Sequence, residues 1–261
     1  MNESILEKIF PMSEEEKAKL WVKTNSKKII ATFCPLAEFP GTVSPYIMFM
    51  AGSPGAGKTE SSKTLIEQLS ERVPPICTAH IDTDSVRDMI PGYNGDNAAI
   101  YQGAAAIGVQ KLLDHIFNKK QNAIIDTTLS DERLAKENIE RALKKGRDYS
   151  VGITYIYRDP IIAWRFTKIR QVMEKRSVGV DVFLDAFFSI PDILKSLKKE
   201  YGEAITIDLV IKGCDNDGRD KLLYSPQNVS LVDIDKYIKL SYNRSSLREK
   251  LLEIEKFILK K

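Results

Sequence analysis

Short apolar runs alternate with longer amphipathic stretches along the middle of the chain. Four of these runs have the length and apolar content of buried strands, namely 46–51, 78–81, 122–126 and 151–157. Helical periodicity covers the residues that follow each run, namely 58–72, 98–119, 131–146 and 160–175. Because strands that alternate with helices form right-handed βαβ units, we predict an α/β fold, a three-layer sandwich with a mainly parallel central sheet.

The two ends of the chain follow different patterns. Residues 1–33 predict one or two short helices, since Ser13 followed by three glutamates has the form of an N-cap with an acidic first turn. Residues 204–212 and 221–224 flank a polar Asp/Asn/Gly segment and predict a hairpin, and residues 245–260 predict a C-terminal amphipathic helix. Prolines and a glycine interrupt residues 34–45. We therefore divide the chain into an N-terminal helical extension with its connector, 1–44, and one domain, 45–261.

The composition narrows the class of protein. The 39 lysines and arginines nearly balance 36 acidic residues, so the net charge of +3 gives no general attraction to nucleic acid. The three cysteines lack C-x-x-C spacing, which argues against a disulfide framework or a structural zinc site. The first residues lack the basic-then-apolar pattern of a secretory signal, and no apolar run is long enough to span a bilayer. We therefore expect a cytoplasmic protein.

A phosphate-binding motif lies directly after the first predicted strand. Its spacing, G-x-x-x-x-G-K-T, places glycines where backbone N–H groups must point at phosphate oxygens, and a predicted helix begins at its end. We expect Lys58 to bridge the β- and γ-phosphates of a nucleotide and the Thr59 hydroxyl to coordinate Mg²⁺. The predicted nucleotide-binding residues are Gly52, Ser53, Pro54, Gly55, Ala56, Gly57, Lys58, Thr59 and Glu60. The alternative, an ordinary turn before a helix, is disfavoured by the strand–loop–helix context.

The second predicted strand leads to two carboxylates. The carboxyl ends of parallel strands meet at the same edge of a sheet, so Asp84 is placed to face the γ-phosphate and to accept the proton of an attacking hydroxyl. The alternative is that Asp82 or Asp84 only caps the helix predicted to begin near Ser85, because aspartate is a preferred N-cap residue. Two acids can divide these two roles.

The third predicted strand ends at Asp126. An acid after an apolar run can hold a Mg²⁺-bound water, and Asp126 comes too early to cap a helix that follows Ser130. We therefore predict Asp126 as a metal residue together with Thr59. Thr128 is a candidate contact to the phosphate acceptor, although threonine is also common at strand ends.

A basic segment follows the fourth predicted strand. Planar guanidinium groups neutralise the negative charge that spreads over a transferring phosphoryl group. Arg170 and Arg176 are therefore candidate catalytic residues of a lid that closes over the phosphates. The alternative is a solvated helix face, to which we assign Arg165.

These pieces together resemble the zeta-toxin family of P-loop kinases. The resemblance rests on GSPGAGKT at 52–59, IDTDS at 81–85, IIDTT at 124–128, the two lid arginines and the late hairpin over 207–225. It implies a P-loop NTPase fold of the kinase type that uses ATP and Mg²⁺ to phosphorylate the 3′-hydroxyl of the sugar in UDP-N-acetylglucosamine. It also implies an antitoxin protein as partner.

The resemblance also implies roles for single residues. Asp84 resembles the catalytic base, Lys58 the phosphate-loop lysine and Thr128 a threonine on the substrate side. Arg170 and Arg176 resemble the lid arginines of the family.

The chain departs from the family on the acceptor side. Val86, Gln110 and Ser130 stand where the family has an aromatic residue, a glutamate and an arginine, respectively. Besides a nucleotide sugar, the acceptors that stay open are a nucleoside, a nucleotide, an antibiotic or a nucleic-acid end. A non-catalytic NTP-dependent switch is a further alternative, but a carboxylate with two lid arginines is more apparatus than a switch needs.

Overall fold

A six-stranded sheet organises the part of the chain that this computed structural model describes, which comprises residues 12–174, 177–214, 220–238 and 241–259. Its strands are β1 (Tyr46–Ala51), β2 (Ala79–Asp82), β3 (Ala123–Asp126), β4 (Ser150–Arg158), β5 (Ile205–Cys214) and β6 (Asp220–Tyr224). The described helices are α1 (Glu14–Thr24), α2 (Ser26–Phe33), α3 (Lys58–Ser70), α4 (Thr83–Asp88), α5 (Ala98–Lys119), α6 (Glu132–Leu143), α7 (Pro160–Glu174), α8 (Val180–Tyr201), α9 (Leu231–Tyr237) and α10 (Arg244–Leu259).

Strand β1 lies inside the sheet, whose order is β2-β3-β1-β4-β5-β6. It pairs in parallel with β3 on one side and with β4 on the other, and β2 and β5 extend the sheet in parallel beyond them. Among the described strands only β6 runs antiparallel, against β5. The predicted mainly parallel sheet is therefore confirmed.

The predicted hairpin is part of this sheet. β5 and β6 pair in antiparallel fashion as expected, but β5 also pairs with β4 in parallel, which makes the hairpin an edge of the central sheet. In β5, the apolar residues Ile205, Ile207 and Leu209 come at every second position, and all three are buried on the same face of the strand. The turn itself, residues 215–219, lies outside the described residues.

Helices cover both faces of the sheet. On β1, Ile47 and Phe49 join a core cluster with helices α1, α2, α5, α6, α8 and α9, whereas Met50 joins a second cluster with Leu69 of α3. This alternation follows from the two-residue period of a strand, and it produces the predicted three-layer sandwich. A third cluster joins α7, α8 and α10 around Trp164.

The N-terminal helices share the core of the sheet. Ser13 caps α1 in a capping box with Glu16, as the sequence predicts. Ala18, Val22 and Ile29 are buried in the cluster that contains the inner residues of β1. The boundary between residues 44 and 45 stays a prediction, because the two sides of it are packed together.

The elements predicted in the central region have counterparts in the structure, and the largest difference is the end of α6, predicted at 146 and observed at Leu143. Helix α8 was not predicted, although it has 22 residues, because it contains Pro191. That proline removes a backbone donor, but burial of neighbours such as Phe187 and Leu194 offsets the loss. No helix within the described ranges is long and apolar enough to cross a membrane.

Candidate active site

Charged residues lie near the carboxyl ends of the parallel strands, with acids on one side of β1 and bases on the other. Asp82 of β2 is in register with Asp126 of β3, which is in register with Met50, one residue before the end of β1. On the other side of β1, Arg158 of β4 is in register with Lys212 of β5. The loop after β1 therefore lies between a pair of acids and a pair of bases.

The phosphate loop has the glycines that its backbone requires. Gly55 and Gly57 adopt positive φ angles of 74° and 94°. A Cβ atom on Gly55 would lie 2.1 Å from the carbonyl oxygen of Ala163, so α7 closes against the loop only because this residue is glycine. Gly57 is the N-cap of α3 and provides no side-chain acceptor, which leaves the first turn of the helix suited to an anion.

The loop also touches the third strand's carboxyl end, because the backbone N–H of Gly52 donates to the carbonyl oxygen of Thr128 at 3.3 Å. The Thr128 hydroxyl is hydrogen-bonded to the Ser130 hydroxyl at 2.9 Å. Thr128 therefore lies beside the start of the phosphate loop, and its contact with the acceptor stays a prediction.

Lys58 interacts electrostatically with several of the charged side chains predicted for the site. Its Nζ donates to the carbonyl oxygens of Gly52 at 2.8 Å and Ser53 at 3.1 Å. Burial lowers its pKa to about 8, and the positive charge of Arg170 acts in the same direction, whereas the carboxylates of Asp126, Asp84 and Glu60 oppose the shift. The structure therefore brings the predicted base, metal residue and lid arginine within electrostatic range of one lysine.

Asp126 is held in its ionised form by three side chains. The Ser62 hydroxyl donates to Oδ1, His80 Nε2 lies 3.1 Å from Oδ2, and the Thr59 hydroxyl also hydrogen-bonds to the carboxylate. Burial alone would raise the pKa of Asp126, but these hydrogen bonds and the nearby His80 together hold it below its ordinary value.

These residues fit a Mg²⁺ ion of the kind that nucleotides bring with them. Mg²⁺ prefers oxygen ligands and keeps several waters, so one carboxylate and one hydroxyl suffice beside the phosphates. The contact between Thr59 and the ionised Asp126 places such a donor pair at the start of α3. No group of three or more His, Cys, Asp or Glu side chains that could hold a metal occurs in the described ranges.

Asp82 and Asp84 have separate roles. Helix α4 begins at Thr83, two residues before the predicted start near Ser85, and Asp82 is its N-cap. The Asp82 carboxylate accepts from the Asp84 N–H at 3.1 Å and from the Ser85 hydroxyl at 3.0 Å. Burial, followed by the charge of Asp84, raises the pKa of Asp82.

Asp84 is thereby released from capping, and its side chain is 37% exposed. Arg87 Nη1 donates to Asp84 Oδ1 at 2.9 Å, and its other terminal nitrogen contacts the Gln102 side-chain oxygen. Arg87 itself is buried, with its guanidinium 5.7 Å from the ring centre of Tyr93. A fixed arginine thus orients the candidate base.

The structure shows the exposure of three further residues of the predicted site and lid, but it does not describe the fourth. Arg170 is half-buried on α7, close enough for its charge to act on Lys58, and Arg165 is exposed, as assigned. Glu60 is exposed in the first turn of α3. Arg176 lies outside the described residues.

Gln110 lies within α5, and its expected place on the substrate side stays a prediction. Its side-chain oxygen accepts from Arg141, which lies in the last turn of α6. Val86 is buried in contact range of α5, since a Cβ on Gly108 would lie 2.6 Å from it.

Sequence reasoning missed four residues at this edge: His80, Arg87, Arg158 and Lys212. Arg158 had a usable signal, because it directly follows a predicted strand, as Asp126 ends one. The contacts of His80 with Asp126 and of Lys212 with Gly57 depend on strand register, which no local pattern reveals.

Comparison with known proteins identifies the family. The model of the zeta toxin family matches residues 36–228, whereas no curated protein matches the sequence. A chain from the PezAT chromosomal toxin–antitoxin system of the human pathogen Streptococcus pneumoniae is similar at 17% identity and a TM-score of 0.62, covering 96% of this chain and 99% of that one. A chain of the AvrRxo1-ORF1:AvrRxo1-ORF2 structure with ATP is similar at 12% identity and a TM-score of 0.56, covering 94% and 82%.

At these identities the two structures support the fold, which is that of a P-loop kinase. The family match covers most of the chain and extends from the connector before β1 to the segment after β6. The chain therefore belongs to the zeta toxin family.

Proposed function

We propose that the protein is an ATP-dependent kinase that transfers the γ-phosphate to a hydroxyl group of a small acceptor. The observation that carries this proposal is the convergence of Asp84, Asp126 and Arg170 on Lys58 of the phosphate loop. A loop that only binds a nucleotide needs no carboxylate beside the transferred phosphate and no lid arginine.

On the donor side, the first-turn N–H groups of α3 and the loop hold the phosphates. Lys58 exchanges its contacts with the Gly52 and Ser53 carbonyls for phosphate oxygens, and Arg170 neutralises the charge on the transferring group. Mg²⁺, when bound, offsets the charge of the β- and γ-phosphates. Thr59 and Asp126 are the residues that would hold it.

On the acceptor side, Asp84 takes the proton of the attacking hydroxyl. The hydroxyl oxygen forms a bond to the γ-phosphorus, the bond from that phosphorus to the bridging oxygen breaks, and ADP leaves. Arg87 donates to Asp84 Oδ1 and so orients the carboxylate of the proposed base.

For the acceptor we propose a nucleotide sugar such as UDP-N-acetylglucosamine, and for the protein partner an antitoxin. Membership of the zeta toxin family supports both, and Thr128 beside Gly52 is the residue proposed to contact the sugar nucleotide. Ser130, which is hydrogen-bonded to Thr128, stands where the family has an arginine. The test therefore includes other hydroxyl acceptors.

The test incubates the full chain with γ-labelled ATP, Mg²⁺ and a metabolite extract, followed by mass spectrometry of the labelled products. A phosphorylated UDP-sugar supports the narrow proposal, and another phosphorylated hydroxyl compound supports the kinase with a different acceptor. Slow ATP hydrolysis with no labelled acceptor contradicts the kinase and favours an NTP-dependent switch.

A further inference from the structure

A buried lysine connects the helix that carries Arg170 to two distant segments. Lys168 of α7 is only 1% exposed, and its ammonium group donates to three acceptors. These are Gln171 Oε1 within α7 at 3.1 Å, the Val178 carbonyl oxygen before α8 at 3.1 Å, and Glu255 Oε1 in α10 at 2.8 Å. An ammonium group has three N–H bonds, so the hydrogen-bonding capacity of Lys168 is fully used.

Trp164, one turn earlier on α7, strengthens the connection to α10. Its ring centre lies 4.0 Å from Lys168 Nζ, which is within the range of a cation–π contact. Its indole N–H donates to the Leu251 carbonyl oxygen of α10 at 2.8 Å, and the side chain is fully buried. Two polar contacts, one turn apart, therefore hold α7 against the C-terminal helix.

The contact between α7 and α10 uses a charge at a place where an apolar side chain would be sufficient for packing. Desolvation of an ammonium group is costly, and apolar residues in place of a buried ion pair often leave the stability unchanged or raise it. Hydrogen bonds from a charged group require defined distances and directions, which apolar contacts do not. The pair of Lys168 and Glu255 is therefore better suited to fixing the position of α7 than to stabilising the fold.

The other side of α7 faces the phosphate loop. Arg170 follows Lys168 by two residues, which places the two side chains about 200° apart around the helix. The charge of Arg170 acts on Lys58, and the carbonyl oxygen of Ala163 lies 2.1 Å from the position that a Cβ on Gly55 would take. A shift or rotation of α7 against α10 would therefore change the position of Arg170 relative to the loop.

We propose that Lys168 is a positioning residue, which holds α7 so that Arg170 reaches the γ-phosphate of the bound nucleotide. Glu255 is its partner in this role, so the C-terminal helix contributes to the active site without contacting a substrate. The inference rests on the proposed function, and in particular on the role of Arg170 at the transferred phosphate. Lys168 consequently affects interactions with ATP, whereas ADP lacks the γ-phosphate and binds independently of Lys168.

The experiment compares Lys168→Met with wild type in kcat and in the dissociation constants of Mg²⁺–ATP and Mg²⁺–ADP, for the full chain. Methionine keeps an unbranched side chain but removes the charge. We expect kcat to fall about tenfold or more, because a small displacement of a group at the reacting phosphate is costly. The affinity for ATP relative to ADP should fall about fivefold or more, since a hydrogen bond between charged groups is weakened. The dissociation constant of ADP should stay within about twofold of wild type.

Two further variants separate positioning from stability. Lys168→Met/Glu255→Leu replaces the whole ion pair by apolar residues, so its unfolding temperature should stay within about 4 °C of wild type or rise. Its kcat should nevertheless fall as in Lys168→Met. The matched control is Lys195→Met, which removes the ion pair of α8 with Asp235 of α9 at 3.1 Å and should leave kcat within about twofold of wild type. Wild-type kcat in the double variant would overturn the inference.

A double-mutant cycle with Arg170→Ala distinguishes positioning from a general structural role. If Lys168 acts through Arg170, Lys168→Met should lower kcat in the wild-type background but by less than about twofold in the Arg170→Ala background. An equal loss in both backgrounds would contradict the proposal. So would a loss of ADP affinity as large as the loss of ATP affinity, because it would assign Lys168 to the fold of the whole site.

The two proposals fail in different ways. If wild type labels no acceptor, the kinase proposal fails, and Lys168 is judged by the ratio of ATP to ADP affinity in the same cycle. If Arg170→Ala lowers kcat or that ratio and Lys168→Met does not, only the inference about Lys168 is wrong. If Arg170→Ala changes neither quantity, the proposed role of Arg170 and the inference are both wrong.

Discussion

Arg87 Nη1 donates a hydrogen bond to Asp84 Oδ1 across 2.9 Å, within the single short helix that follows β2. Because Arg87 is buried and its second nitrogen contacts Gln102 of α5, the guanidinium cannot follow Asp84 if the carboxylate moves. The candidate base is therefore anchored to the helix layer that covers the sheet.

This anchor predicts an effect on turnover and not on nucleotide binding. Arg87→Lys keeps the charge but cannot bond Asp84 and Gln102 at once, so we expect kcat to fall about tenfold or more through loss of orientation. The KM for ATP should stay within about twofold. Arg133→Lys, on the exposed face of α6, is the matched control. Unchanged kcat in Arg87→Lys would show that Asp84 needs no such support.

Substitutions of Asp82 should affect the stability of the fold, whereas substitutions of Asp84 should affect activity. Asp82 caps α4, so Asp82→Ala should lower the free energy of unfolding by about 1 kcal/mol. Asp82→Asn should be nearly neutral, because asparagine caps as well as aspartate. Chemical denaturation checks the stability, and steady-state kinetics should show activity retained in Asp82→Asn. Loss of activity in that variant would mean that Asp82 takes part in the reaction.

His80 should support the metal site through Asp126. It lies 3.1 Å from the carboxylate that is expected to hold the Mg²⁺-bound water, and partners of that kind orient a metal residue. We expect His80→Ala to raise the Mg²⁺ concentration for half-maximal activity about tenfold. A Mg²⁺ titration of activity measures this, with His115→Ala, the other histidine of the chain, as control. An equal shift in both variants would contradict a specific role.

Lys58 should leave a signature in the pH dependence of stability. Burial lowers its pKa from 10.5 in the unfolded chain to about 8 in the fold. Between these pH values the unfolded chain holds the proton that the folded chain has released, so the free energy of unfolding rises with pH. The difference between wild type and Lys58→Met, measured by denaturation without nucleotide, should therefore increase over this range. A flat difference would show that Lys58 titrates normally in the fold.

Local patterns in the sequence predict the phosphate loop and the strand ends, because both depend on residues that are close along the chain. The segment from Gly52 to Thr59 and the position of Asp126 after β3 are of this kind. The roles of Asp82 and Asp84 could not be divided in advance, since they depend on whether α4 begins at Thr83 or Ser85. A shift of two residues in the helix start decides which carboxylate caps the backbone.

Contacts between distant segments were not predictable. His80 meets Asp126 and Lys212 meets Gly57 only because β2, β3, β1, β4 and β5 lie in that order with a particular register. Helix α8 was missed for a different reason, since Pro191 is an unfavourable residue in a helix and only burial in the core compensates for it. Both features depend on tertiary structure, the contacts through strand order and register and the helix through burial in the core.

The measurement that tests the central claim most directly compares wild type with Asp84→Asn in transfer of the γ-phosphate and in ATP binding. The account predicts that the variant binds Mg²⁺–ATP as wild type does but phosphorylates the acceptor about 10²–10⁴-fold more slowly, because the proton of the attacking hydroxyl has lost its acceptor. Asp82→Asn, two residues away, should transfer at the wild-type rate. Equal transfer by Asp84→Asn and wild type would contradict the account.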